Sequence, residues 1–342
     1  MRSHAGSAIP RPVTAVEALR WQARSCADSS PLYAALLTRL ADDATGGGPT
    51  ATILAGHDDD PRGSALGLRC MAALHRAVLE RRAPRLALHY PSVGGTADPD
   101  RAWPAVRELL AEQTGRLRAD LERPCQTNEP GRAAALLAGL LHVVRSRGGE
   151  RLRLLEIGAS AGLNLRVDAY RIGDLGPPRS PCQIADPWDG QPPRAAPYAI
   201  VERRGCDRAP VDPTSAEGRL ALTSSVWADQ SARFERLRGA LAVAADVPAA
   251  VDRADAAGWL RERLVEPQSP GVLTVVWHSV VRQYVEVTEW ADVVAQLAAA
   301  GPTVVHVAME PEVHQGFPVT VDGEQIAVAG PHGPPVRAVT PG

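Results

Sequence analysis

The seven residues from Glu156 to Gly162, EIGASAG, carry side-chain types and spacings that could do chemistry. They follow the apolar run LRLL and precede LNL, so they read as the turn between a buried strand and a helix. Two chemistries fit. Gly158-x-Ser160-x-Gly162 has the form of a nucleophile elbow, a sharp turn that presents a serine hydroxyl. Glu156-x-Gly158-x-Ser160-x-Gly162 also has the form of a nucleotide-type loop, with an acidic residue ending the strand and glycines admitting a ligand to the backbone.

The elbow reading calls for a base and an acid downstream. Ser160, Asp255 and His332 (or His314) come in the chain order of an α/β hydrolase, and Gly94-Gly95 stands upstream as a candidate oxyanion loop. Three features weigh against it. Glu156 would lie on a central strand, where an unpaired buried carboxylate costs several kcal/mol. The pattern is short for a chain with 30 glycines. PHGPP, around His332, reads as a polar turn.

The loop reading makes further claims. In a doubly wound sheet the ligand crosses the carboxyl ends of the strands, so each strand should end in a polar group. Glu156 ends the first, and Asp207 in GCDRAP ends the second, placed to accept two ribose hydroxyls. Asp255 ends the third, with an adenine amino group to accept from and the Ala256 amide to donate. The fourth ends WHS, which puts His278 at the reaction centre as general base, since imidazole titrates near neutral pH. Gly158, Ser160, Gly162 and Asn164 line the loop. Glu129, after Asn128 at a helix start, is placed to grip an amine, and Gln283 and Tyr284 are substrate contacts. Plain alternatives stay open: capping for Asn128 and Glu129, and turn chemistry for Asp207 and Asp255. EPEVH (310–314) has no helical geometry that would turn its i, i+4 pair, Glu310 and His314, into a metal site.

The elements that must position these residues alternate strand and helix from about residue 130. Helix 130–147 leads to strand LRLLEI, the turn, a helix GLNLRVDAY and a Pro-rich stretch at 173–197. Strand AIVERRGCD, a polar turn, helix 229–245, strand AAVDRADA, helix AGWLRERL and strand GVLTVVWHS follow. Helix 286–300, strand PTVVHVAM and a hairpin turning at Asp322-Gly323 complete it. Continuously apolar strands between helices imply a parallel sheet covered on both faces. Ahead of this, helices are expected over 14–44, from Gly63 to Arg82, and from Trp103, with Pro104 in its first turn, to Glu122. RLALHYPSVGG between the last two is a strand or an extended loop. The organisation is a mostly helical cap over 1–127 and an α/β domain over 128–342.

Composition removes several classes. All 37 basic residues are arginine, so Schiff-base and Walker A chemistry, which need a lysine, are excluded. A net charge of -2 gives no support for a nucleic-acid partner. Neither a signal segment nor an apolar run of membrane-spanning length is present, so the expectation is a cytoplasmic protein with no membrane partner. Five scattered cysteines without a C-x-x-C pair imply reduced structural thiols. A homodimer is compatible with all of this.

The C-terminal 210 or so residues resemble class I S-adenosylmethionine-dependent methyltransferases. QTNEPGR, LEIGASAGLNL, GCDRAPVD, VWADQSAR and WHSVVRQY are similar over nearly the whole chain to an actinobacterial methyltransferase-like family. That resemblance implies a Rossmann-like sheet of seven strands with one late antiparallel strand, S-adenosylmethionine over the first loop, and a small-molecule acceptor held partly by the cap. Two departures stand out. Ser160 replaces a usual glycine, and Glu156 and Asp207 are 51 residues apart, where about 20 is usual. A different reaction on the same fold, or a non-catalytic binding role, remains compatible with the resemblance.

Overall fold

The structure, a computed structural model, describes residues 14–58, 60, 64–312 and 315–339. It divides into two compact units. One comprises the described residues of Met1–Thr127 with Leu220–Phe234, and the other Asn128–Arg219 with the described residues of Glu235–Gly342.

The first unit is helical: α1 (Ala15–Cys26), α2 (Pro31–Thr45), α3 (Pro49–Leu54), α4 (Leu66–Leu79), α5 (Pro84–Ala87), α6 (Pro99–Glu112) and α7 (Thr114–Leu121). The stretch expected as one helix over 14–44 breaks at Ser30, whose hydroxyl accepts the Tyr33 N–H while Pro31 takes the first helical position. Asp98 caps α6 through the amides of Asp100 and Arg101, so that helix starts well before Trp103 and Pro104 lies inside it. RLALHYPSVGG is neither strand nor extended loop; it forms α5 and the 3-10 turn Pro91–Val93. Gly63, the expected start of α4, lies outside the described residues.

VWADQSAR, though late in the chain, packs into this unit. His75 donates Nδ1–H to the Val226 carbonyl at 3.0 Å, and Trp227 stacks on Tyr33 with ring centroids 5.9 Å apart. Asp229 holds the start of α2, with Ser30 Oγ at 2.7 and 2.8 Å from its two oxygens and the Leu32 N–H at 3.3 Å. Asp229→Ala would leave the buried Ser30 without its acceptor. A loss of about 2–4 kcal/mol is expected, the cost of breaking buried charge-assisted bonds at a cap. Thermal unfolding checks it, with Asp229→Asn predicted to recover part of the loss.

The second unit is a mixed α/β structure whose central sheet is mostly parallel. Its strands are β1 (Arg151–Ile157), β4 (Ala199–Asp207), β5 (Ala250–Arg253), β6 (Val272–Ser279), β7 (Val304–Met309), β8 (Phe317–Val321), β9 (Glu324–Gly330) and β10 (Gly333–Ala338). Their spatial order is β10-β9-β8-β7-β6-β1-β4-β5, eight strands where seven were expected. β5, β4, β1, β6 and β7 are parallel, and β8 to β10 run on as an antiparallel meander. The chain steps outward from β1 to β4 and β5, then returns to lay β6 against the other side of β1. The strand order therefore reverses between β1 and β6, the place where open α/β sheets form a crevice.

Helix α8 (Ala133–Arg147) covers one face of the sheet, Gly139 permitting its close approach to Val307 of β7. On the other face α11 (Ala256–Leu264) and α12 (Val287–Ala299) share a core with Leu155, Ile157, Cys206 and Val276. Helix α10 (Ser231–Asp246) follows α9 (Ala216–Ser224), which occupies part of the stretch expected as a polar turn. GLNLRVDAY is not an α-helix but a kinked 3-10 segment, Asn164–Ala169. The Gly162 carbonyl accepts the Leu165 amide at 3.2 Å in the 3-10 pattern and the Arg166 guanidinium at 2.7 Å, which fills both lone pairs and leaves none for the Arg166 amide that an α-helix would bring to it. Part of the Pro-rich stretch adds a two-stranded sheet, β2 (Arg171–Ile172) with β3 (Gln183–Ile184). PHGPP, read as a turn, opens β10. Asp322 and Gly323 both take positive φ, 49° and 84°, as a two-residue hairpin turn requires.

Candidate functional site at the carboxyl ends of the parallel strands

The turn after β1 sits beside the strand-order reversal. Gly158, Ser160 and Gly162 take φ of 69°, 52° and 65°, so the backbone coils tightly between strand and 3-10 segment. The Ala159 amide donates to the Cys206 carbonyl at 2.9 Å, and the Ser160 amide to Asp207 Oδ2 at 2.9 Å. Asn128 Oδ1 accepts from the Leu163 amide at 2.8 Å, which gives Asn128 a role in shaping the turn.

Beneath it lies a buried polar group. Glu156 is 2% exposed, and its Oε2 and Asn164 Oδ1 are buried without hydrogen-bond partners. Burial pushes the Glu156 carboxyl up to about 8, although the Trp277 and Asn164 side chains and the Arg166 guanidinium pull the other way. Such orphaned atoms are uncommon in folded proteins, and a pair of them at one strand end marks a place for a ligand or an ordered water.

The other strand ends are more fully engaged than the sequence suggested. Both Asp207 oxygens accept backbone amides, Ser160 on one and Ala209, at 2.8 Å, on the other. Each carboxylate oxygen has a second lone pair, so this leaves acceptor capacity. Asp255 caps α11 by accepting the Gly258 amide at 2.7 Å. The Ala256 amide does not point to an open space for an adenine: it donates to Glu289 Oε1 at 2.8 Å, and Glu289 also pairs with Arg208.

His278 is not where the sequence reading put it. In the register of β1 with β6, Glu156 pairs with Trp277 and Ile157 with His278. Adjacent residues of a strand project to opposite faces, so Glu156 and His278 point to opposite sides of the sheet. His278 lies edge-on to Trp290 of α12, centroids 4.9 Å apart, and is 2% exposed. Both its nitrogens are engaged: Nδ1 is 2.7 Å from Glu310 Oε1 and Nε2 is 2.8 Å from His306 Nε2. A buried imidazole bonded at both ends is not poised as a base for a substrate over the turn. Burial, and then the neighbouring His278, push His306 down to about 3.

Glu129 is buried, bonded to the Gly131 amide at 3.0 Å and to Arg236 at 3.3 Å. The amine-like group it grips is this chain's own guanidinium. Tyr284 is 46% exposed in the 3-10 turn Arg282–Tyr284, and Gln283 is exposed beside it. His314, one histidine of the elbow reading, lies outside the described residues. Among the described residues no group of three or more His, Cys, Asp or Glu side chains could hold a metal ion. Glu310, His278 and His306 bond in a line and do not converge on a point.

Sequence reasoning missed Trp277, His306, Glu289 and Val281, and treated Glu310 only as part of a metal motif. His306, a lone histidine inside the apolar run VVHVAM, was the one legible signal. The others act through register and loop packing, which leave no spacing pattern.

No helix among the described residues is long and apolar enough to cross a membrane. The described cysteines are all free. No curated protein and no solved structure matches the chain. Residues 16–338, nearly the whole sequence, match the family described as "Uncharacterized protein conserved in bacteria (DUF2332)", and the chain belongs to that bacterial family.

Proposed function

We propose that the second unit is a Rossmann-like, class I methyltransferase-type domain that takes S-adenosylmethionine at the turn after β1 and serves a small-molecule acceptor. The observation that carries this reading is the buried Glu156 carboxyl with an unpaired oxygen, beside the unpaired Asn164 Oδ1, under a positive-φ turn at the strand-order reversal. That is the crevice in which this class of sheet holds nucleotides. The near-neutral net charge of -2 favours a small acceptor over a nucleic acid.

The residues fit such a group at the turn and at Asp207, and fit it less well beyond β5, where Glu289 already holds the Ala256 amide. When bound, S-adenosylmethionine supplies an electrophilic methyl group on a sulfonium. Glu156 and Asn164 offer acceptors to a cationic or donor group, and their burial excludes water from it. Asp207 fixes the turn through Ser160 and keeps lone pairs for ribose hydroxyls. His278 has no part in this reading; it braces β6 against β7.

Calorimetric titration of S-adenosylmethionine and S-adenosylhomocysteine tests the proposal. Micromolar binding is expected, weakened roughly tenfold or more in Glu156→Gln and Asn164→Ala, the scale of one lost buried hydrogen bond. No binding by the wild type would sink it. The serine hydrolase alternative keeps one favourable observation, the positive φ of Ser160. Fluorophosphonate labelling that disappears in Ser160→Ala would support it. A protein that neither labels nor binds would fit the non-catalytic role.

A further inference from the structure

The space in front of the turn's first glycine is already filled by this chain. A Cβ built on Gly158 would overlap Val281 Cγ2 and lie 3.0 Å from Val281 Cβ. Val281 belongs to the segment between β6 and α12, and a ligand seeking the Gly158 backbone would have to displace its side chain.

That segment is held at its root by the Val280 amide on the Met309 carbonyl at 3.0 Å, by packing of Val281 on the core beneath α11 and α12, and beyond the root by one carboxylate. Glu310, just past β7, accepts the Val281 amide at 2.9 Å and the Arg282 amide at 3.3 Å on its other oxygen. Its base is firm, because the oxygen that takes the Val281 amide is also bonded to buried His278, which His306 backs from the other side. Val280, at the root of the segment, is a β-branched residue at φ 54°, a conformation that persists only where surrounding contacts impose it. Past Val281 the residues Arg282, Gln283 and Tyr284 are exposed. A strained root, a firm latch and an exposed tip are the parts of a movable cover.

We propose that residues 280–284 form a lid over the β1 turn, with Val281 seated on Gly158 and Glu310 as its latch, which opens to admit a nucleoside ligand. The lid rests on reading the turn as a cofactor site; the latch does not. Glu310→Ala removes the acceptor of both amides, and Val281→Ala shortens the cover while leaving the latch intact.

Amide hydrogen exchange and titration with S-adenosylhomocysteine, on the wild type and both variants, separate the two ideas. In Glu310→Ala, exchange at Val281 and Arg282 should quicken roughly tenfold, the consequence of losing a charge-assisted bond. In Val281→Ala, S-adenosylhomocysteine should bind about fivefold tighter, because the closed state no longer competes as well. Unchanged exchange in folded Glu310→Ala would overturn the latch. Binding that is unchanged or weaker in Val281→Ala would overturn the lid. Should Glu310→Ala fail to fold, Val281→Ala decides alone. Faster exchange with no binding by any form would support the latch and remove the cofactor reading.

Discussion

Lowering the pH from 7 to 4 is expected to take about 3 kcal/mol from the helical unit, through one residue, His75. Its ring is fully buried, with Nδ1 at 3.0 Å from the Val226 carbonyl and Nε2 at 2.8 Å from Ser92 Oγ. Phe234 and Tyr90 lie against it. Burial pushes His75 down from 6.5 to about 4, although the Val226 and Ser224 carbonyls favour its proton. The unfolded chain therefore binds a proton that the folded unit refuses. The stability this contributes is present above 6.5 and is lost as the pH falls toward 4, at about 1.4 kcal/mol per pH unit. Carboxylates add little in the upper part of this window. In Asp43 burial is outweighed by hydrogen bonds from Thr50 and Arg107, and in Glu80 by the bond from Arg82, so both titrate below the ordinary range.

The second unit should respond differently. His306 loses stability in the same direction, as the pH falls from 6.5 toward about 3. Glu156 opposes it: raised to about 8, it contributes most below its unfolded value and loses that contribution as pH rises toward 8. Denaturant unfolding at pH 7, 5.5 and 4, on the wild type and His75→Gln, tests this. The wild-type helical transition should weaken steeply, the variant's should be nearly flat between pH 6.5 and 5, and the α/β transition should change least. A helical transition with the same midpoint at pH 7 and 5 would rule the account out.

Gly333→Ala is expected to cost the α/β unit about 3–5 kcal/mol, combining overpacking with a left-handed backbone. Gly333 starts β10 at φ 94°. A Cβ there would overlap the Gly131 carbonyl group outright and lie 2.7 Å from the Arg132 nitrogen. These are backbone atoms, which no rotamer change can move aside. The contact is reciprocal, since a Cβ on Gly131 would collide with the His332 carbonyl. The turn that carries Glu129 and the start of β10 thus meet back to back. Gly323→Ala is the control. It has a similar φ of 84° but nothing within 4 Å of its Cβ, so only the conformational cost of about 1 kcal/mol remains. Equal urea midpoints for the two variants would show that the close approach is unimportant.

Much of the architecture is legible because local rules agree with the final fold. LRLLEI, GVLTVVWHS and VVHVAM are apolar on both faces and become interior parallel strands, β1, β6 and β7. Asp322-Gly323 takes the hairpin geometry that its residue types favour. Where a side chain competes with the backbone, local reading fails: the Gly162 carbonyl is shared by the Leu165 amide and the Arg166 guanidinium, in place of the bond that would have continued an α-helix after the turn. Ser30 and Asp98 move helix starts for the same kind of reason.

The candidate site divides along a similar line. The acidic strand end and the glycine turn can be read from residue order alone, because both depend on neighbours in sequence. That Glu156 and His278 face opposite ways depends on a single step of register between β1 and β6. That Glu289 holds the Ala256 amide, and that Val281 covers Gly158, depends on how α12 and the segment before it come to rest on the sheet. The sequence by itself determined the alternation of strands and helices, the polar strand ends and the absence of lysine chemistry. Only the tertiary structure decided which of those polar groups share a face and which are already engaged, because strand register and loop packing join residues that are remote in the chain.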